Sequence, residues 1–168
     1  MKRTVVLRFS QLSLVIICFL HELINFFTNM GHFSLLVERM LVIMRHPTPS
    51  SASTLIDRSI DSVFVAKLAV TLITVIHLLV ALVLLWGLLR LVRDITTTDF
   101  RRYNKKKYIC ILGLVLGLCQ YFFLFLVIAM GYFLSWMQEI NFNADITTFA
   151  LLFATSLFYL LLVDFREM

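Results

Sequence analysis

Ionisable and polar side chains stand inside two apolar runs of this 168-residue chain. Glu22 and His21 lie in the first run with Asn25 one turn later, and Lys67 and His77 lie in the second. An ionised side chain at the centre of a bilayer costs about 2.5–3.5 kcal/mol on insertion scales, so each charge needs a partner or a wet cavity. Glu22 and Lys67 fall at similar distances from the ends of their runs. The spacing therefore predicts an ion pair between these two residues.

Three interpretations of Glu22 and Lys67 are open. The pair could only hold two helices together, Lys67 could instead extend its ammonium to the headgroups, or the pair could move protons or ions together with Asn25 and His77. His21 and His77 also raise the question of haem ligation. Their predicted depths differ by about 10 Å, which is awkward for two ligands of one iron. We therefore expect hydrogen-bonded interior histidines, with no metal and no cofactor.

The elements that carry these residues are predicted to be membrane-spanning helices. Hydrophobic residues make up 61% of the chain, against about 45–50% in a soluble domain. Apolar runs occupy residues 9–28, 63–89, 108–136 and 146–163, and a helix needs about 20 residues to cross a bilayer. The sequence predicts an all-α membrane protein, a four-transmembrane-helix bundle that forms one integral membrane domain over residues 1–168.

A basic segment at 90–107 predicts the orientation. It contains seven Lys or Arg and two acidic residues, and short loops with this bias stay in the cytoplasm. The segments predicted inside hold eleven Lys or Arg, and those predicted outside hold three. This favours an N-in, C-in, multi-pass protein of the bacterial inner membrane. The net charge of +5 then indicates contact with anionic lipid at the inner basic loop, and no nucleic-acid partner.

The predicted outer loop, residues 29–62, contains a second kind of helix. Phe33, Leu36, Met40 and Leu41 recur at helical spacing, which predicts an amphipathic helix on the outer face. We expect these four side chains to form a contact face for a partner.

The third run carries a small-residue motif. Gly113 and Gly117 form a G-x-x-x-G pattern, and Gln120 follows one turn later. Small residues let helix backbones approach closely. The pattern predicts helix packing at this face, either within one bundle or between subunits, with a hydrogen bond from Gln120 across the contact.

Catalysis is not expected from this sequence. It has no Ser/His/Asp constellation, no Gly-rich phosphate loop and no paired-carboxylate site, and its longest predicted extramembrane piece is 34 residues. We expect a non-catalytic accessory or scaffold subunit of a bacterial inner-membrane complex, or a homo-oligomer. The alternative is a small transporter or channel component that uses Glu22, Lys67 and His77, for which a dry core would exclude an open path. A haem- or quinone-binding anchor is a third, less favoured hypothesis.

Short motifs resemble a family of bacterial predicted small integral membrane proteins of unknown function with four spans. The likeness is carried by GLVLGL at 113–118, by Trp136, Asn143 and Phe149, and by Asp164 at the end of the fourth run. Asn25 and the run FSLLVERMLVIM also contribute. The chain departs from the family pattern at His77, where an acidic residue is usual, and at 129–132, where a Gly-Gly-Glu-Trp-like end is usual. The resemblance implies the topology and no known activity.

Overall fold

The computed structural model describes residues 2–45, 60–97, 99–123 and 143–165. Helices account for nearly all of these residues, and the described ranges contain no strand. In chain order the helices are α1 (Lys2–Gly31), α2 (Phe33–Arg45), α3 (Val63–Val92), α4 (Phe100–Gln120) and α5 (Asn143–Phe165). The all-α prediction is therefore confirmed.

Among the described residues, three stretches are long and apolar enough to cross a membrane, namely Val5–Gly31, Val63–Val92 and Arg101–Phe123. At a rise of about 1.5 Å per residue, α3 is about 45 Å long and exceeds the hydrocarbon core. Helix α5 contains a shorter apolar stretch, Thr148–Leu161, inside the predicted span at 146–163. The predicted third span, 108–136, extends past residue 123 and so lies partly outside the described residues.

The loop between α3 and α4 is shorter than the predicted 90–107. Helix α3 continues to Val92 and α4 begins at Phe100. Asp99 starts α4 because its side chain accepts a hydrogen bond from the backbone N–H of Arg102 at 3.1 Å, a standard N-cap interaction. The Lys and Arg residues that marked a loop are good helix formers, and their long side chains can extend to water from a helix. We call this side of the bundle the basic-loop end, and the opposite side the α2 end.

Helix α2 forms where the amphipathic pattern predicted it, but its apolar face packs inside the chain. Val37, Leu41, Ile43 and Met44 are buried together with Ala66 and Val70 of α3. Phe33, Leu36 and Met40 are partly buried against the same cluster. The predicted partner-contact face is therefore largely occupied by the chain's own α3. Packing against α3 buries the apolar face of this amphipathic helix without any second protein.

Two helix contacts involve the glycines of the G-x-x-x-G motif. A Cβ added at Gly113 would lie 2.6 Å from a methyl carbon of Leu84 on α3, and one at Gly117 would collide with the ring of Phe153 on α5. A third close approach, not predicted from the sequence, is at Gly87, where a Cβ would lie 2.9 Å from the backbone nitrogen of Cys110. The glycines thus bring α4 against α3 and α5 within one chain.

The outer surface of the bundle is apolar over most of its length. Large exposed hydrophobic side chains project from every long helix, including Phe9, Phe27, Phe64, Leu79 and Phe158. Because lipid, not water, surrounds a membrane protein, these side chains need no further cover. Near the basic-loop end the guanidinium of Arg90 lies over the ring of Trp86, with 4.7 Å between Cζ and the ring centroid, an arrangement typical of the membrane interface.

Candidate functional site

A buried carboxylate lies at the centre of the bundle. Glu22 on α1 is 0% exposed, and its Oε2 is 2.7 Å from Nδ1 of His77 on α3. Its other oxygen, Oε1, accepts a hydrogen bond from the Tyr121 hydroxyl at 3.2 Å. Both carboxylate oxygens therefore have partners on other helices, as a buried charge requires. His77 is at the middle of α3, so the pair is near the midplane of the predicted bilayer.

The imidazole of His77 is held from a second side by α4. The Nε2 atom of Gln120 lies 2.8 Å from Nδ1 of His77 and 3.1 Å from its Nε2. With the proton on Nδ1, the ring donates to Glu22 through Nδ1 and accepts from Gln120 through Nε2, the longer of the two Gln120 contacts. The Gln120 Oε1 atom remains buried without a hydrogen-bond partner in the described structure. This leaves one unused acceptor beside the imidazole.

A second half of the network extends from Tyr121 towards the α2 end. The Tyr121 hydroxyl lies 2.6 Å from His21 Nε2 and accepts from Asn25 Nδ2 at 3.3 Å. Asn25 Nδ2 also lies 2.9 Å from His21 Nε2. Phe149 of α5 covers the imidazole of His21, with ring centroids 3.9 Å apart. Since His21 and Asn25 are only partly buried, the network runs from a closed interior to a more open edge.

The hydroxyl of Tyr121 has a single proton and therefore two possible directions. With Glu22 ionised, Tyr121 donates to Glu22 and accepts from the Nε2–H of His21. With Glu22 protonated, Glu22 donates to Tyr121, and Tyr121 donates to the bare Nε2 of His21. The two patterns use the same distances and differ by one proton and the tautomer of His21. The arrangement can therefore move a proton between His21 and Glu22 without moving a heavy atom.

The backbone after α4 places two consecutive side chains in this network. Gln120 and Tyr121 contact His77 and Glu22 respectively. Residues 121–123 form a wider, π-type turn that continues α4. Such turns are uncommon and are found frequently at functional sites, because they reorient side chains that a regular helix would point elsewhere.

The predicted Glu22–Lys67 pair is corrected by these contacts, because Glu22 pairs with His77. Lys67 is exposed on the outside of α3, about 100° around the helix from the buried Ala66. The depth estimate failed because each Cα–Cβ bond tilts towards the N-terminus of its own helix. In the antiparallel helices α1 and α3 this tilt moves the Glu22 carboxylate and the His77 ring towards each other.

Among the predicted polar residues, the structure brings together His21, Glu22, Asn25, His77 and Gln120 and leaves Lys67 out. Sequence reasoning did not identify Tyr121, which joins the two halves of the network. The signal was weak, since Tyr121 follows Gln120 directly and precedes the apolar run FFLF. A hydroxyl at the start of such a run, directly after an interior amide, is only a weak indication of a buried tyrosine.

A layer of apolar side chains separates the network from the basic-loop end. Val15, Leu84, Leu114 and Phe153 are each 0% exposed and belong to one core cluster. Val15 and Leu84 are seven residues from Glu22 and His77 along their helices, a distance of about 10 Å. Among the described residues, an apolar layer therefore lies between Glu22 and the basic-loop end.

The chain belongs to the family described as predicted small integral membrane proteins (DUF2165), which matches residues 7–166. The family has no established function. No curated protein and no solved structure matches the chain. Membership therefore supports an integral membrane protein and leaves its activity to be inferred from the site.

Proposed function

We propose that this protein is a proton-responsive membrane protein, in which the Glu22–His77 pair takes up and releases a proton through Tyr121 and His21. The observation that carries the proposal is the hydrogen-bonded path from the partly buried His21 to the fully buried Glu22. An ionisable residue inside a membrane helix is a functional-site hypothesis by default. Here its partners supply a chemical route to it.

The proton is the ion that this geometry suits. A hydrated metal ion or a small solute needs a cavity, whereas a proton can pass along existing hydrogen bonds. A proton that arrives at Nδ1 of His21 releases the Nε2 proton to the Tyr121 oxygen, and Tyr121 passes its own proton to Glu22. His21 gains an N–H bond at Nδ1 as it loses one at Nε2, Tyr121 gains one O–H bond as it loses another, and Glu22 ends with the one additional proton. Every donor and acceptor in this sequence is within 3.2 Å of its partner.

The described path has a partly buried end at His21 and a fully buried end at Glu22, which favours a proton sensor over an open channel. The apolar layer at Val15, Leu84 and Leu114 blocks the continuation of the path towards the basic-loop end. Charging or discharging Glu22 changes its attraction to His77 and hence the packing of α1 against α3. The proposed proton site thus shares Glu22 and His77 with the transporter hypothesis and does not include Lys67. The accessory-subunit hypothesis stays a prediction, and much of the α2 face on which it relied packs against α3.

The test is hydrogen–deuterium exchange of the protein in lipid nanodiscs at an acidic and a neutral pH, corrected for intrinsic exchange. We expect α1 and α3 peptides around Glu22 and His77 to exchange differently at the two pH values in the wild type. Glu22→Gln should remove the difference, because the amide cannot ionise. Glu38→Gln, which changes an exposed carboxylate on α2, should retain it. A pH effect that persists unchanged in Glu22→Gln would contradict the proposal.

A further inference from the structure

A second buried polar cluster lies at the basic-loop end. Arg8 is 5% exposed, and Gln11, Tyr103 and Lys107 are each 1% exposed. Arg8 and Gln11 are neighbours on one face of α1, being three residues apart. The cluster is eleven residues from Glu22 along α1, about 16 Å, so it is independent of the proton site.

The ring of Tyr103 organises this cluster. Its hydroxyl donates to Oε1 of Gln11 at 3.4 Å. The Arg8 Cζ atom lies 4.4 Å from the ring centroid, and the Lys107 Nζ atom lies 5.3 Å from it. Arg8 also donates through Nη1 to the backbone carbonyls of Ile95, at 3.1 Å, and Thr97. The guanidinium is thereby fixed between a ring and the short loop.

Two donors in the cluster lack acceptors. Nε of Arg8 and Nε2 of Gln11 are buried without a hydrogen-bond partner in the part of the chain that the structure describes. Among the side chains that the structure describes, no carboxylate is ion-paired with Arg8, and the nearby Asp94 is engaged by Lys106 and Arg102. A buried cation that contacts only neutral carbonyls and a ring is unstable relative to one with a counter-charge, and an unpaired buried donor indicates a missing ion or water.

We infer that Arg8 and Gln11 bind a phosphate oxygen of an anionic lipid headgroup. Guanidinium N–H groups match phosphate oxygens in geometry and charge, and the Gln11 amide adds a donor on the same helix face. Exposed Arg101 and Lys105 surround the site with further positive charge, which concentrates anionic lipid nearby.

The test uses delipidated full-length protein in a mild detergent and follows its melting temperature as phosphatidylglycerol, phosphatidylcholine or inorganic phosphate is added. We expect phosphatidylglycerol to raise the melting temperature of the wild type. Arg8→Gln should raise the half-effective concentration of this lipid about tenfold, as expected for loss of a charge-assisted hydrogen bond. Arg39→Gln removes the same charge from an exposed position on α2, at the opposite end of the bundle, and should change this concentration by less than about twofold.

Gln11→Glu gives a second test that does not depend on a weakened fold. The carboxylate keeps an acceptor for Tyr103 and supplies Arg8 with an internal counter-charge. We expect this variant to melt at a higher temperature than the wild type without lipid and to lose the response to phosphatidylglycerol. An unchanged response in Gln11→Glu would overturn the inference. So would equal stabilisation by phosphatidylcholine, or stabilisation by inorganic phosphate at the same concentration, which would assign the site to free phosphate.

Discussion

At the scale of single residues, the most consequential contact is the one between Glu22 and His77. A buried pair is a weak argument for net stability, but removal of one partner leaves the other desolvated and unpaired. The pair is also linked to Tyr121 and Gln120, so its members cannot be replaced independently. These features predict strong energetic coupling between the two positions.

His77→Ala should lower the free energy of unfolding by about 3–5 kcal/mol, because it leaves the Glu22 carboxylate buried without a cationic or hydrogen-bonding partner on α3. Addition of Glu22→Gln should recover part of this loss, with a coupling energy of about 0.5–3 kcal/mol. The measurement is a double-mutant cycle by reversible unfolding in mixed micelles.

Lys67 provides the matched control for this cycle. Because Lys67 is exposed and Glu22 is buried on another helix, the effects of Glu22→Gln and Lys67→Met should add within about 0.5 kcal/mol. Coupling between Glu22 and Lys67 as large as that between Glu22 and His77 would show that the pairing described above is wrong.

The sequence pattern predicted most residues of the polar site but assigned Lys67, not His77, as the partner of Glu22. Polar types inside apolar runs select Glu22, His21, Asn25 and His77 because such residues are rare there. Pairing depends on the rotation of each helix and on the tilt of each side chain. Neither can be obtained by counting residues from the ends of a span. Tyr121 was not predicted because the adjacent Gln120 is too weak a signal to distinguish a hydrogen-bonded tyrosine from a lipid-facing one.

At the scale of the helices, close approach at glycines determines how α3 and α4 fit together. Gly87 of α3 faces the backbone of Cys110 on α4. Main-chain atoms of a helix cannot move aside as a flexible side chain can, so a methyl group at this position must separate the helices.

Gly87→Ala should therefore lower the free energy of unfolding by about 1–3 kcal/mol through overpacking, even though alanine favours a helix more than glycine. The same reversible unfolding measurement serves here. Gly31→Ala is the control, since a Cβ at Gly31 has no neighbour within 4 Å and should be neutral or stabilising. Equal effects of the two substitutions would contradict the packing described for α3 and α4.

The loop between α3 and α4 depends on the charge of Asp94. Hydrogen bonding from Lys106, aided by the nearby charge of Arg102, holds the pKa of Asp94 below its ordinary value of 3.8. Because the folded pKa is below the unfolded one, Asp94 stabilises the fold above pH 3.8 and loses this effect as the pH falls through the lower folded value.

Asp94→Asn should accordingly melt at a lower temperature than the wild type at neutral pH, and the gap should close on acidification through this range. The comparison of melting temperatures across pH tests the sign directly. A gap that stays constant or widens as the pH falls would mean that ionised Asp94 does not stabilise the loop.

The predicted helix ends match the structure best where the apolar composition and an N-cap residue indicate the same position. Helix α3 begins at Val63, as predicted, and Ser62 caps it by accepting a hydrogen bond from the backbone N–H of Val65. The start of α4 was placed eight residues late, because apolar composition reports what faces lipid, whereas a helix can continue through basic residues at the interface. Helix α2 was predicted correctly, but its amphipathic pattern does not show whether its apolar face packs on the chain's own α3 or on a partner.

At the scale of the whole molecule, the described residues combine an apolar exterior with separate polar clusters around Glu22 and Arg8. One, around Glu22, is near the middle of the bundle and leads towards the α2 end. The other, around Arg8, lies at the basic-loop end, and an apolar layer separates them. The family assignment and the three long apolar helices agree on an integral membrane protein. The N-in, C-in orientation, which assigns the two ends to the two sides of the membrane, stays a prediction.

Under the proposed function, Glu22 changes its protonation state inside the bundle. Infrared difference spectroscopy of the reconstituted protein, recorded between neutral and acidic pH, detects the C=O stretch of a protonated carboxyl group in an apolar environment. We predict such a band in the wild type and in Glu38→Gln, its shift in His77→Gln, and its absence in Glu22→Gln. A band that is the same in Glu22→Gln and in the wild type, or no buried carboxyl band in the wild type, would contradict the account.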